Sequence, residues 1–231
     1  MFEITNDILF ALFLFGGLTL ALGSSYFGKI YVYALIIAIT VYINIAEAKV
    51  IDVFGFSTTL GTALFGVMYF ATDLLTERYG KSAGYTAVKL GIFSAICFQV
   101  FMQLTLLATA ITGDDFITGF SGGMDTVFTT SLRIVGAGLF VYMLSQTLDI
   151  YLFQRIKAMT GDKHLWLRNN LSTFVSQGFD TFAFTFLAFY GSMPTEIVLE
   201  IATVGYVFKL IVAVFDTPYI YASKLFKPRD L

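Results

Sequence analysis

The chain has 231 residues, 57% of them apolar, 17% aromatic and 13% charged, with a net charge of −2 and a mean hydropathy of +0.79. A soluble domain carries about 25% charged residues, so this chain has too few to cover a water-facing surface, while its 26 Phe and 13 Tyr are too many for a disordered one. Apolar runs of about 20 residues, the length that crosses a hydrocarbon core, recur from end to end, which excludes a soluble enzyme, a nucleic-acid binder and a secreted disulfide scaffold.

The pattern predicts an all-α, polytopic membrane protein with a single domain over residues 1–231 and seven spans. The first runs from about Asp7 to Tyr26. Its flank holds Glu3 and Asp7 and no base before Lys29, so it reads as a retained helix and not a cleavable signal. The second covers Ile30 to Val50, the third Thr58 to Leu75 and the fourth Ala83 to Ile111. The fifth covers Thr126 to Phe153, the sixth Leu171 to Tyr190 and the seventh Ile197 to Leu225. Turn residues punctuate them at Gly28-Lys29, Gly55, Tyr79-Gly80-Lys81, Thr112-Gly113-Asp114-Asp115, Thr160-Gly161-Asp162 and Gly191-Ser192-Met193-Pro194.

Basic residues near span ends stay cytoplasmic. Lys29, Arg78, Lys81, Lys89, Arg155, Lys157, Lys163, Arg168, Lys224, Lys227 and Arg229 fall on one side, and Lys49 alone on the other. The acidic residues Glu3, Asp7, Asp114, Asp115, Asp125 and Glu196 share that second side. The expectation is an N-terminus outside and a C-terminus in the cytoplasm.

A charge at the bilayer centre costs at least about 2.5–3.5 kcal/mol, so it needs a partner or a function. The intramembrane candidates are Glu47, Asp73, Arg133, Asp149, Asp180, Glu200, Lys209 and Asp216, accompanied by Asn44, Gln99, Gln103, Ser145, Gln146, Ser172, Ser176 and Gln177. Asp180 and Lys209 are the deepest pair, at about 15 Å and 20 Å from the same end of adjacent spans at 1.5 Å per residue. They read either as a structural ion pair or as the lining of a pathway. Ser172, Ser176 and Asp180 recur at i, i+4, i+8 and form one polar stripe, beside which lies Gln177. Arg133 lies in the outer part of its span, where Glu200 is a candidate partner, and Glu77 with Lys81 reads as a surface pair. Carboxylates and amides accept or donate two adjacent hydrogen bonds in one plane, and aromatic faces stack flat rings. The set suits an uncharged planar ligand better than a bare metal ion.

Other chemistries are set aside. Gly80-Lys81-Ser82 lacks the first glycine of a phosphate-binding loop, Leu75 standing in its place. His164 has no ligand cluster around it, Cys97 has no disulfide partner, and no nucleophile–base constellation is present, so no enzyme and no cofactor or metal is expected.

At Tyr69-Phe70-Ala71-Thr72-Asp73-Leu74-Leu75-Thr76-Glu77-Arg78-Tyr79-Gly80-Lys81 the sequence resembles the queuosine precursor transporter family, also called vitamin uptake transporters. The likeness continues through Ser145-Gln146-Thr147-Leu148-Asp149, Trp166 to Thr173, Gln177-Gly178-Phe179-Asp180 and Tyr206-Val207-Phe208-Lys209 to Pro218, with Asn44, Lys49 and Gly55 ahead of it. The resemblance implies multi-pass uptake of 7-deazaguanine precursors, in nitrile and aminomethyl forms, across a bacterial or archaeal inner membrane. It also implies a six-helix core, which makes the segment from Asp7 to Tyr26 an added helix. Under it the expected substrate contacts are Asn44, Asp73, Gln146, Asp149, Gln177 and Asp180. Arg133 and Lys209, with Asp149, would hold a charge network or couple a proton. The partners are then the small-molecule substrate and the lipid bilayer, no nucleic acid, and a homo-oligomer is left open. The alternative is the substrate-binding S component of an energy-coupling-factor importer, which needs ATPase partners and docks through an Ala-x-x-x-Ala motif. Ala34 with Ala38 fits that spacing, and so does Ala83 with Ala87.

Overall fold

The computed structural model describes residues 5–47, 49–111, 113–129, 132–161 and 163–229. Among them are eight helices and one hairpin: α1 (Asn6–Phe27), α2 (Lys29–Ala46), β1 (Val50–Val53), β2 (Phe56–Thr59), α3 (Leu60–Tyr79), α4 (Lys81–Leu106), α5 (Asp115–Phe128), α6 (Leu132–Thr160), α7 (Leu165–Phe189) and α8 (Thr195–Ser223). The chain is a polytopic, multi-pass membrane protein. Each of the seven expected spans corresponds to a long helix, with ends shifted by a few residues. Five of these helices, α1, α2, α4, α6 and α8, are long and apolar enough to cross a membrane on their own.

Two elements depart from the expectation. The second span ends at Ala46, because Val50-Ile51-Asp52-Val53 and Phe56-Ser57-Thr58-Thr59 pair as an antiparallel hairpin. Three of the four residues of β1 and two of the four of β2 are β-branched. The two loop residues, Phe54 and Gly55, both have positive φ (52° and 81°), as the tightest hairpin turn requires. Asp7 Oδ1 accepts from Phe54 N at 2.7 Å, which ties the turn to the start of α1. The second departure is α5, a short helix between the fourth and fifth spans. Asp114 caps it by accepting from the backbone N–H groups of Phe116 and Ile117, and none of its residues is buried.

The packing is centred on α3. Every residue from Gly66 to Thr76 is buried, and α1, α2, α4, α6 and α8 all pack on this one helix. On the far side α7 packs between α6 and α8. The two helices outside the self-sufficient five are therefore α3 and α7, whose side chains face protein more than lipid. Their polar residues are sheltered by the neighbouring helices.

Candidate functional site

Tyr69, Asp73 and Glu77 recur every four residues along α3, which makes one stripe with steps of about 6 Å. Facing it, α6 carries Ser145, Gln146 and Asp149, α7 carries Asn169, Thr173, Ser176, Gln177 and Asp180, and α8 carries Lys209 and Asp216. All of these except Lys209 are buried. The result is a polar column in three tiers.

The first tier lies at mid-helix. Tyr69 OH donates to Ser145 Oγ at 2.8 Å, Ser145 Oγ donates to Asp180 Oδ1 at 2.8 Å, and Lys209 Nζ meets Asp180 Oδ2 at 2.6 Å. The ring of Phe65 lies 5.2 Å from the same ammonium. The expected neighbourhood of Asp180 and Lys209 is thus an ion pair, with both carboxylate oxygens engaged.

The second tier is acidic. Thr173 Oγ1 donates to Asp73 Oδ2 at 3.3 Å, Ser176 Oγ donates to Asp149 Oδ1 at 2.8 Å, and Asn169 Nδ2 donates to Asp216 Oδ1 at 2.6 Å. Asp73 and Asp149 thus approach from α3 and α6 onto a single turn of α7, through Thr173 and Ser176. Among the described residues, no Lys or Arg makes an ion pair with Asp73, Asp149 or Asp216.

The third tier closes the end of the column. Glu77 holds Arg168 at 2.6 Å, Lys157 at 3.0 Å and Lys224 at 3.1 Å, one cation from each of α6 and α7 and one from the end of α8. Arg168 is fully buried and also donates to the carbonyls of Gly161 and Lys163. Next to it, Arg78 donates to the carbonyl oxygens of Ser25, Ser223 and Phe226. The reading of Glu77 and Lys81 as a surface pair is therefore corrected. Because α3 is central, its last turn points at α6–α8, and Lys81 starts the next helix on the exposed side.

Within this column several buried polar atoms have no partner: both amide atoms of Gln146, Gln177 Oε1, Asp73 Oδ1, Asp149 Oδ2 and Asn169 Oδ1. A buried group left without its hydrogen bond costs about 1–3 kcal/mol. Acceptors outnumber donors in that set.

The remaining expected residues lie elsewhere. Asn44 is exposed on α2 and donates to Thr40 O of its own helix at 2.7 Å, apart from the column. Arg133 is exposed and donates to the carbonyls of Leu187 (2.7 Å) and Tyr190 (2.6 Å), so it serves the C-terminal end of α7, while Glu200 is itself exposed. Gln103 donates to Phe128 O at 3.2 Å and joins α4 to α5. Of the two Ala-x-x-x-Ala pairs, Ala83 and Ala87 are buried and Ala34 and Ala38 are exposed on α2. Sequence reasoning did not single out Tyr69, Asn169 or Thr173; the four-residue period through Tyr69, Asp73 and Glu77 is the signal that finds the first. Two cavities lie outside the column: an apolar groove of about 460 Å³ between α2 and α4, lined by Phe93, Cys97 and Phe101, and one of about 200 Å³ at α5.

Comparison with known proteins places this column in a family. The family described as "Putative vitamin uptake transporter" matches residues 59–223. A "Probable queuosine precursor transporter" of Bacillus subtilis (strain 168) is 37% identical over 205 residues, covering 88% of each chain. A "Queuosine precursor transporter" of Escherichia coli (strain K12) is 29% identical over 169 residues, covering 71% of each. A third, from Haemophilus influenzae (strain ATCC 51907 / DSM 11121 / KW20 / Rd), is 26% identical over 164 residues, covering 70% of this chain and 66% of its own. No solved structure matches the chain. The chain belongs to the vitamin uptake transporter family.

Proposed function

We propose that this member of the vitamin uptake transporter family carries queuosine precursors, 7-cyano-7-deazaguanine and 7-aminomethyl-7-deazaguanine, into the cell through the α3/α6/α7/α8 column. In this reading all seven long helices span the membrane, with the N-terminus outside and the tier of Glu77, Arg168, Lys157 and Lys224 at the cytoplasmic end. The gathering of those basic residues at one end of the bundle supports the orientation.

One observation carries the substrate assignment. Gln146 of α6 is fully buried with both ends of its amide unpartnered, and Gln177 Oε1 of α7, Asp73 Oδ1 of α3 and Asp149 Oδ2 of α6 share that condition. A deazaguanine presents a ring N–H and an exocyclic NH₂ side by side, which a carboxylate accepts in one plane, and a carbonyl that an amide N–H reaches. Asp73 is the better candidate for the paired acceptor, because Ser145 and Lys209 already engage both oxygens of Asp180. Asp180 and Lys209 then hold α7 against α8. Arg133 and Asn44, outside the column, have no contact with substrate. Because these side chains pack against one another, admitting a flat ring requires the four helices to part, as in a carrier that opens to each side in turn.

The test is counterflow of labelled deazaguanine in liposomes holding only the purified full chain. Wild type exchanges label without any ATPase partner, and Gln146→Ala raises the half-saturating concentration about tenfold, the equivalent of about 1.4 kcal/mol. Binding without exchange, or a Gln146→Ala protein indistinguishable from wild type, refutes the reading.

A further inference from the structure

The second tier poses a problem of hydrogen and charge. Three carboxyl groups, Asp73, Asp149 and Asp216, converge there from α3, α6 and α8 at full burial, and no described cation pairs with any of them. Every charged or titratable neighbour on the packed elements has another place. On α3, Tyr69 gives its hydroxyl proton to Ser145. On α6, Tyr142 lies about two turns from Asp149, toward Gly91. On α7, Asp180 is held by α8's Lys209 one tier away. The charged residues of α1, α2 and α4 (Asp7, Lys29, Lys81 and Lys89) are exposed or at helix ends.

Asp73 and Asp149 bond hydroxyls one turn apart on α7; two ionised carboxylates brought together in a low dielectric repel, and such a pair holds one proton between them. The hydroxyls around the pair already spend their hydrogens on it, Thr173 on Asp73 and Ser176 on Asp149, yet Asp73 Oδ1 and Asp149 Oδ2 remain without a donor. A separate side chain reports the same deficit. Asn169 is fully buried and aimed into the tier, since its Nδ2 bonds Asp216, and its Oδ1 has no donor either.

We propose that the Asp73–Asp149 pair is a proton-binding site and that one proton enters the cell with each substrate molecule. The proposal rests on the uptake reading above. With one proton on the pair, Asp149 is neutral and Asp73 is left as a single carboxylate for the substrate's two N–H groups. Doubly ionised, the pair repels itself; doubly protonated, it loses the acceptor. Proton and substrate therefore bind together. The step balances simply: the proton leaves the outside water, sits on Asp149, and is released to the cytoplasm when the substrate departs.

The experiment uses the purified full chain in liposomes containing a trapped pH dye, with no sodium present. Addition of unlabelled deazaguanine outside acidifies the lumen, and an inwardly directed pH gradient drives accumulation of labelled substrate several-fold above equilibration. In Asp149→Asn, which imitates the protonated residue, the ratio of gradient-driven accumulation to counterflow falls several-fold below that of wild type. Counterflow in wild type with no lumenal acidification overturns the proton site and leaves the uptake reading intact. Accumulation driven by a sodium gradient at equal pH overturns it in favour of a metal cation. Absence of counterflow in wild type overturns both. The wild-type dye measurement decides the matter even where Asp149→Asn does not fold.

Discussion

Glu77→Gln isolates the third tier. One carboxylate there holds three cations, but they are not equal: the Arg168 side chain is 0% exposed, Lys157 28% and Lys224 41%. Exposed pairs contribute about 0–1 kcal/mol each. Removing the partner of a buried charge costs about 3–5 kcal/mol, so the loss is dominated by Arg168. For a chain of this size about 2–4 °C accompanies each kcal/mol, which predicts an unfolding midpoint about 6–20 °C lower. The chain's only tryptophan, Trp166, stands two residues before Arg168 and reports locally. Its fluorescence during heating in detergent, at one fixed scan rate, gives the midpoint. Arg168→Gln in the Glu77→Gln background restores most of the loss, because no uncompensated charge is left, while Lys157→Met or Lys224→Met alone shifts the midpoint by less than a third as much. If Glu77→Gln melts with wild type, or the double variant is worse than either single one, the ranking by burial is wrong.

Three further outcomes follow from the packing. In Gly66→Ala the new methyl meets Val212 of α8, and overpacking of this kind costs about 1–3 kcal/mol; Val212→Ala in the same chain relieves it, as read by thermal unfolding. Asn44→Ala changes stability by no more than about 0.5 kcal/mol and leaves deazaguanine uptake at the wild-type rate, and a loss of uptake at equal protein level would return Asn44 to the substrate site. Lys209→Met leaves Asp180 uncompensated with only 9% of its side chain exposed and destabilises by about 3–5 kcal/mol, whereas adding Asp180→Asn recovers the midpoint in the same melt.

The architecture was legible because hydropathy reads burial in lipid. Each long helix lies under an apolar run, and the deep charges of α3, α6, α7 and α8 were visible as exceptions to it. Comparable depth on adjacent helices set Asp180 beside Lys209, and the ion pair is one of the two readings that placement allowed. What one dimension could not supply is which helix is central. That unknown sent Glu77 outward to Lys81 when it points inward to Arg168, and it left unread that Asn44 is exposed on α2. The hairpin and α5 escaped for a different reason: short elements carry too few residues for a period to stand out, and the positive φ at Phe54 has no signature in a bulky residue.

The central place of α3 also changes the standing of α1. The family match covers residues 59–223, from just ahead of α3 to the end of α8, so α1, α2 and the hairpin lie before it. An added helix would be expected at the periphery, yet α1 packs on α3, α2, α8 and β1 at once. Its residues Phe10, Leu14 and Leu18 are buried in the same cluster as Val67, Phe70 and Leu74 of α3. Gly17 of α1 admits the Val67 side chain where any Cβ would collide. α3 carries Asp73 and Glu77 and cannot sit against lipid without the cost that intramembrane charge brings. With α6 to α8 occupied by the polar column, the opposite face of α3 needs an apolar cover, and α1 with α2 supplies it. The first helix is thus part of the apolar cover of α3.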